Sequence, residues 1–153
     1  MYNNLSQRKA TMQDVKTIIA LLVEDELGKS RENLTEELDK TYIDAFNKIK
    51  IDSNQYLMVV EMGQEIVGTC HLTMMPSLTF KGSTRMQIEA VRVAEKYRGQ
   101  NIGEWMMKEV LEYGKLRGAK LIQLTTNKKR ERSKKFYETL GFQATHEGMK
   151  LHY

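Results

Sequence analysis

The sequence predicts an α/β fold, a layered sandwich around a mixed sheet, with elements in the order β-αα-βββ-α-β-α-β. Three observations carry this prediction. Helix-spaced and strand-type apolar segments alternate along the chain, separated by glycine punctuation. The length of 153 residues is enough for one compact domain with its own core. The composition, 41% hydrophobic and 29% charged, excludes both a disordered tail and a membrane span.

Thr11 stands as an N-cap before Met12-Gln13-Asp14, which puts an acid in the first helical turn. Val15, Ile18, Ile19, Leu22 and Val23 follow at helical spacing, giving an amphipathic helix to about Glu26. Gly28-Lys29-Ser30 breaks it. A more polar helix is expected from Asn33 to Ile49, through Leu34, Leu38, Tyr42, Ala45, Phe46 and Ile49. Gln55 to Glu61 reads as a strand, Met62-Gly63-Gln64 as a turn, and Glu65 to Met74 as the returning strand. A loop from Pro76 to Ser83 leads to a third strand, Met86 to Val93. Gly103 opens a helix whose Met106, Met107, Val110 and Leu111 form one stripe, with Gly114 as a point of close packing and Gly118 as its stop. Lys120 to Thr125 is a short buried strand. A basic segment enters the last helix, to about Leu140 and Gly141, and the chain from Phe142 onward is strand-like.

Charge is distributed unevenly. The net charge of +4 is concentrated in 128–135, where six bases meet one acid, so the other residues together sum to −1. The protein carries one basic segment and is not basic throughout. A lone Cys70 excludes an internal disulfide framework. His71, His146 and His152 are too scattered for a metal site. The first nine residues lack the apolar core of a signal peptide, and no run approaches the length of a membrane span. A single domain over 1–153, in a reducing, cytoplasmic setting, is expected.

Chemistry concentrates in Tyr97-Arg98-Gly99-Gln100-Asn101-Ile102-Gly103. A strand that enters a small-residue turn and then a helix presents several unpaired N–H groups and a positive dipole end to one point. Such a turn holds a phosphate or pyrophosphate. Arg98 adds a cation. Neither a Walker A loop nor a GxGxxG turn is present; the alternative is a glycine loop chosen for tight packing.

Further segments resolve the choice. The chain resembles the Gcn5-related N-acetyltransferase superfamily, whose cofactor loop follows Arg/Gln-x-x-Gly-x-Gly/Ala; here it reads Arg98-Gly99-Gln100-Asn101-Ile102-Gly103. Asn101 replaces the first glycine, and Asn is the side-chain-bearing residue that best tolerates positive φ. Residues 7–11 with Asp14-Val15 resemble the family's first strand and helix, and 61–68 its next hairpin. Residues 89–93 resemble its fourth strand, and Lys135-Phe136-Tyr137-Glu138-Thr139-Leu140-Gly141-Phe142 its closing helix-to-strand motif. The resemblance implies a three-layer α/β/α sandwich with a mixed, mostly antiparallel central sheet splayed between the fourth and fifth strands.

It also implies acetyl-CoA as donor and a primary amine of a small molecule or peptide as acceptor, with a possible homodimer as a family-level expectation. On this reading the backbones of Val91 and Val93 pair with the pantetheine arm. Arg98, Gly99, Gln100, Asn101, Ile102, Gly103 and Glu104 cradle the pyrophosphate, and Asn127, Arg130 and Ser133 border the cofactor. Many members carry Asn where this chain has Arg130, and Asn127 lies just upstream as a partial substitute. Tyr137 is the candidate general acid, since a phenol is protonated at neutral pH; otherwise it is a core tyrosine. Glu89 is the candidate general base, expected to be partly buried; its alternative is a salt bridge to Arg85 or Arg92. Lys134 or Lys135 reaches the 3′-phosphate, or else lies on a solvated face.

Cys70 reads as a small apolar residue in preference to an acetyl-carrying nucleophile, and His71, on the opposite face, as structural in preference to pocket-lining. The acidic stretch 24–39, seven acids against two bases, suits a cationic acceptor or is a solvated face. Two rival readings stand beside the enzyme: a non-catalytic acyl-CoA-binding regulatory module, and nucleic-acid binding through 128–135. The latter lacks interleaved aromatics, so no nucleic-acid or membrane partner is expected.

Overall fold

The structure is a computed structural model, and it describes residues 4–153. Residues up to Gln123 form one compact unit and those from Leu124 a second.

In the first unit, β1 (Leu5–Lys9) is followed by a 3-10 turn (Met12–Asp14), α1 (Val15–Val23), a short α2 (Glu26–Lys29) and α3 (Lys40–Ile51). Then come β2 (Gln55–Met62), β3 (Glu65–Met75), β4 (Arg85–Val93), α4 (Ile102–Leu116) and β5 (Leu121–Leu124), whose last residue opens the second unit. The five strands form one sheet in sequence order. β1 to β4 are antiparallel neighbours, and β5 runs parallel to β4. The α/β class and mixed sheet expected from the sequence are therefore present.

Strand periodicity assigns two cores. On one face Val59 packs with Val15, Ile18, Ile19 and Phe46, joining β2 to α1 and α3. On the other, Tyr56 stacks on Tyr113 of α4 at 4.6 Å, and Met86 presses against Gly114. A Cβ at Gly114 would lie 2.7 Å from Met86 Cε and 3.0 Å from Ile122 Cδ1, so a side chain there would have to push these tips aside. Met106, Met107 and Val110 are fully buried beneath it. Helices thus cover both faces of the sheet, the three layers the sequence implied.

Some boundaries differ from expectation. The helix expected from Asn33 begins only at Lys40, where the Asp39 carboxylate accepts from Thr41 N–H at 2.8 Å and caps it. Upstream, the Tyr42 hydroxyl takes the Asn33 N–H and donates to Glu32 at 2.8 Å, holding 32–39 in an irregular path. Gly28 does not simply stop α1. It is buried within α2, where a Cβ would sit 1.6 Å from the Leu22 carbonyl oxygen. β5 is half-buried along its length, less than the buried strand expected.

In the second unit, α5 (Glu131–Thr139) ends at Gly141, whose φ of +93° suits a glycine stop. The strand expected from Phe142 onward does not form: no ladder is present over 142–153. Met149, Leu151 and Tyr153 alternate as a strand would, yet all three are exposed, so no packed face rewards an extended ladder there.

One ion cluster ties β1, β2 and the entry to α1. Arg8 donates to Asp14 at 2.6 and 3.0 Å and to Glu61 at 2.7 and 3.0 Å. Asp14 also accepts from Thr11 N–H at 2.7 Å. Its carboxyl is held down to about 2, chiefly by the Arg8 hydrogen bonds. Because the folded value lies below the unfolded one, this stabilisation is present above about pH 4 and lost as the pH falls through about 2. Urea unfolding should therefore lose about 2 kcal/mol from this group between pH 5 and pH 1. Asp14→Asn should flatten that part of the acid limb and lower stability at pH 7; an unaltered acid limb would contradict the assignment.

Candidate acyl-transfer site

The junction of β4 with α4 has the geometry the motif requires. Arg98 is extended, Gly99 follows at φ +78° and Asn101 caps α4 at φ +61° in the left-handed region. The first backbone bond into the helix runs from Trp105 N–H to Asn101 O at 3.0 Å. The N–H groups of Ile102, Gly103 and Glu104 precede that bond and head a helix of 15 residues. Nothing lies within 4 Å of a Cβ built on Gly99, so the turn is open to a ligand. These features fit a pyrophosphate. Glu104 faces along the helix and pairs with Lys108 at 2.9 Å.

Arg98 is already positioned. Its Nε donates to Val93 O at 3.1 Å, and its guanidinium meets Glu24 at 3.4 Å. Glu24 also accepts from Glu95 N–H at 2.8 Å, while Asp25 meets Arg92 at 3.5 Å and takes Gly28 N–H at 2.6 Å. The acidic stretch 24–39 thus fastens the end of α1 to β4 and the loop. Glu26, Glu32 and Asp39 are likewise held by Lys29, Tyr42 and Thr41. An open groove of about 530 Å³ beside α1 is lined by Glu24, Glu65 and Glu95. Glu65 there already accepts from Tyr97 at 2.6 Å and pairs with Lys96.

Upstream of the loop, β4 carries a bulge. His71 opposes Glu89 and Thr69 opposes Arg92, so two residues, Ala90 and Val91, face Cys70 alone. Ala90 has φ +53°. Lys120 N–H bonds Thr84 O at 2.9 Å, and β5 then continues for only four residues. The part of β4 bearing Val91 and Val93 consequently runs past the end of β5, leaving main-chain groups on that edge.

Glu89 is exposed, not partly buried as expected, because the bulge turns the strand out of its neighbours' cover. Neither expected arginine partner binds it: Arg92 turns to Asp25, and no ion pair joins Glu89 to Arg85 among the described residues. Its cross-strand neighbour is His71, half-buried, with Nε2 2.7 Å from Gln55 Oε1. Burial lowers the His71 pKa, and Glu89 partly opposes that shift. His71 therefore belongs to the face bearing Glu89, while Cys70 points the other way.

In the second unit, Tyr137 is half-buried between Phe136 and Phe142, with ring centroids 5.4 and 6.0 Å away. Asn127 is exposed; its side chain accepts from Lys129 N–H at 2.9 Å and forms the turn before α5. Arg130 stands at the N-cap position of α5, its carbonyl accepting from Lys134 N–H at 3.1 Å, and Ser133, half-buried, lies in the first turn. Lys134 pairs weakly with Glu138 at 3.9 Å, and Lys135 is exposed.

Sequence reasoning named Arg85 and His71 but missed Gln55, Thr73, Gln87 and Gln123 on the face of Glu89. Arg85, Gln87 and Glu89 alternate along β4, opposite Thr73 and His71. Gln123 donates to Gln87 at 2.8 Å, and Thr73 donates to Gln55 at 2.9 Å. The signal was available: a central strand covered on both faces is normally apolar on both, and β4 is polar at every second residue.

A splayed α/β sheet whose fourth strand enters a glycine turn and a helix N-terminus defines an acyltransferase class of fold. The chain belongs to the Acetyltransferase (GNAT) family, whose model matches residues 19–142. It is 29% identical over 140 residues to the aminoalkylphosphonate N-acetyltransferase of Salmonella typhimurium, covering 91% of this chain and 85% of that protein. It is 34% identical over 86 residues to the glucosamine 6-phosphate N-acetyltransferase of Trypanosoma brucei brucei, and spans 56% of that protein's length. Among solved structures, one described as a transcriptional regulator from Bacillus halodurans matches with TM-score 0.95 and 44% identity, covering 97% of this chain and 99% of that one. An acetyltransferase from Clostridium acetobutylicum determined with acetyl-CoA shares the fold at TM-score 0.74 and 22% identity, covering 97% and 96%. No helix among the described residues is long and apolar enough to cross a membrane.

Cys70 is fully buried, and burial pushes its thiol up to about 12. Iodoacetamide at pH 8 should leave the native protein unlabelled and modify it only after unfolding, read by mass spectrometry. Rapid native labelling would show the thiol to be accessible.

Proposed function

We propose that this chain is an acetyl-CoA-dependent N-acetyltransferase that transfers the acetyl group to a primary amine by direct attack. The observation that carries the reading is the junction at 98–104, where an extended arginine, an open glycine turn and a left-handed Asn101 meet a long helix. Membership of the family, which uses acetyl-CoA, and two relatives named as N-acetyltransferases support it. The acceptor is a small molecule or peptide amine, and a cytoplasmic setting accords with a single, buried cysteine.

The residues divide the work. N–H groups of 102–104 and Gly99 hold the pyrophosphate, with Arg98 beside them. Main-chain groups at Val91 and Val93 align the pantetheine arm along the free edge of β4, and an N–H there polarises the thioester carbonyl. Bound acetyl-CoA supplies the electrophilic carbonyl and a thiolate leaving group. Glu89 accepts the ammonium proton, directly or through water, and the amine nitrogen then bonds to the carbonyl carbon. As the C–S bond breaks, Tyr137 would give its phenolic proton to the departing sulfur, and the second proton lost by the acylated nitrogen would return through solvent to restore the phenol. The inert Cys70 favours direct attack over an acetyl-cysteine step. Asn127, Arg130 and Ser133 are proposed to border the cofactor from the start of α5 and the turn before it.

Thiol release from acetyl-CoA should depend on an added primary amine. Glu89→Gln should lower kcat/KM by about 100-fold and remove the acidic limb of its pH profile. Tyr137→Phe should lower kcat by a similar factor of about 100 while acetyl-CoA affinity holds. An unchanged acidic limb, or unchanged turnover with a slow amine, would remove the corresponding role. A second reading, a non-catalytic acyl-CoA-binding regulatory module, is favoured by the 44%-identical structure described as a regulator. Tight acetyl-CoA binding without thiol release from any amine would select it.

A further inference from the structure

The face of the sheet that carries Glu89 is unusually polar for a central layer. Gln55, His71, Thr73, Gln87 and Gln123 form two hydrogen-bonded groups on it, and Arg85 stands at its far end. The acceptor oxygens of this floor are already engaged: Gln55 Oε1 lies within hydrogen-bond distance of both His71 Nε2 and Thr73 Oγ1, and Gln87 Oε1 accepts from Gln123. Its remaining capacity is that of a donor. Arg85 is the clearest case, because its Nε is buried and meets no acceptor among the described residues. A buried guanidinium N–H without an acceptor destabilises the fold, so packing alone does not account for an arginine here. The expected partner, Glu89, lies four residues along the strand and does not reach it.

We infer that the amine acceptor carries an anionic group, phosphate or phosphonate in character, which is bound by Arg85 while its amine lies at Glu89. This inference rests on the acetyltransferase reading above and adds the chemistry of the acceptor. Geometry sets its size. Four strand residues separate the two Cα atoms by about 13 Å, and the reach of both side chains leaves only a small molecule's length between them. Guanidinium pairs with the tetrahedral oxyanion through parallel N–H bonds, and the engaged carboxamides add orientation without adding negative charge. The two curated relatives are named for acceptors of this kind, an aminoalkylphosphonate and a phosphorylated aminosugar. The acids of 24–39, which in sequence suggested a cationic acceptor, are largely tied to residues of their own neighbourhood and do not oppose an anion here.

The test uses matched pairs with acetyl-CoA: 2-aminoethylphosphonate against ethanolamine, and glucosamine 6-phosphate against glucosamine. The two pairs separate a short phosphonate from a phosphorylated sugar. The wild-type protein should prefer the anionic member of at least one pair by tenfold or more in kcat/KM. Arg85→Gln should abolish most of that preference by raising KM, and Arg85→Lys should restore part of it. The Tm of Arg85→Gln should equal or exceed that of wild type, whereas an arginine kept for structure would lower it on removal. Equal turnover within both pairs overturns the anionic acceptor and leaves acetyl transfer standing. A preference that survives Arg85→Gln overturns the assignment to Arg85. Thiol release from no amine overturns the acetyltransferase reading and this inference with it.

Discussion

At Ala90 the central strand turns through a left-handed residue and inserts one extra position against β3. Left-handed backbone costs an alanine roughly 1 kcal/mol, so the surrounding sheet must enforce it. The consequences spread in both directions. Before the bulge, Glu89 keeps its register with His71 and stays on the polar face. After it, Arg92 swings to Asp25, and the strand, still paired with β3 through Arg92 and Val93, runs past the end of β5 towards the loop at 98. A regular strand of the same sequence would bring Arg92 out of register with Asp25, and the loop arginine would lose its alignment with the end of α1.

That alignment is itself held by two consecutive carboxylates. Glu24 and Asp25 end α1 and reach Arg98 and Arg92, the arginines on either side of the strand-to-loop transition. Gly28 makes the arrangement possible, because α2 folds back until its backbone touches the Leu22 carbonyl, leaving no room for a side chain. Single exposed ion pairs contribute little, but a set that converges on one loop fixes geometry more than it adds energy. Local packing of α1, the trajectory of β4 and the disposition of the 98–104 turn are therefore one coupled structure.

Much of this was legible in the sequence. The left-handed conformation at Asn101 followed from the tolerance of Asn for positive φ at a position where the family motif has glycine, and the structure has it there. Gly63, Gly114 and Gly118 fall where the turn, the close helix–sheet contact and the helix stop were expected. What escaped was non-local. Ala90 gives no signal of a bulge, since alanine has no preference for left-handed backbone; only the pairing of β3 with β4 imposes it. The exposure of Glu89 follows from the same bulge. The early start expected for α3 failed because helical spacing at Leu34 and Leu38 does not reveal that Asp39 caps the helix and that Tyr42 holds the preceding segment. Apolar alternation at Met149, Leu151 and Tyr153 could not supply a partner strand.

On the proposed reading, the bulge delivers an unpaired edge of β4 and the 98–104 turn to one acyl-CoA ligand. Amide hydrogen exchange, resolved to single residues and followed with and without acetyl-CoA, tests it most directly. Protection should rise together at Val91, Val93, Gly99 and 102–104, with β1 and β2 unchanged. Protection confined to other parts of the chain, or none at Val91 and Val93 under saturating acetyl-CoA, would contradict it.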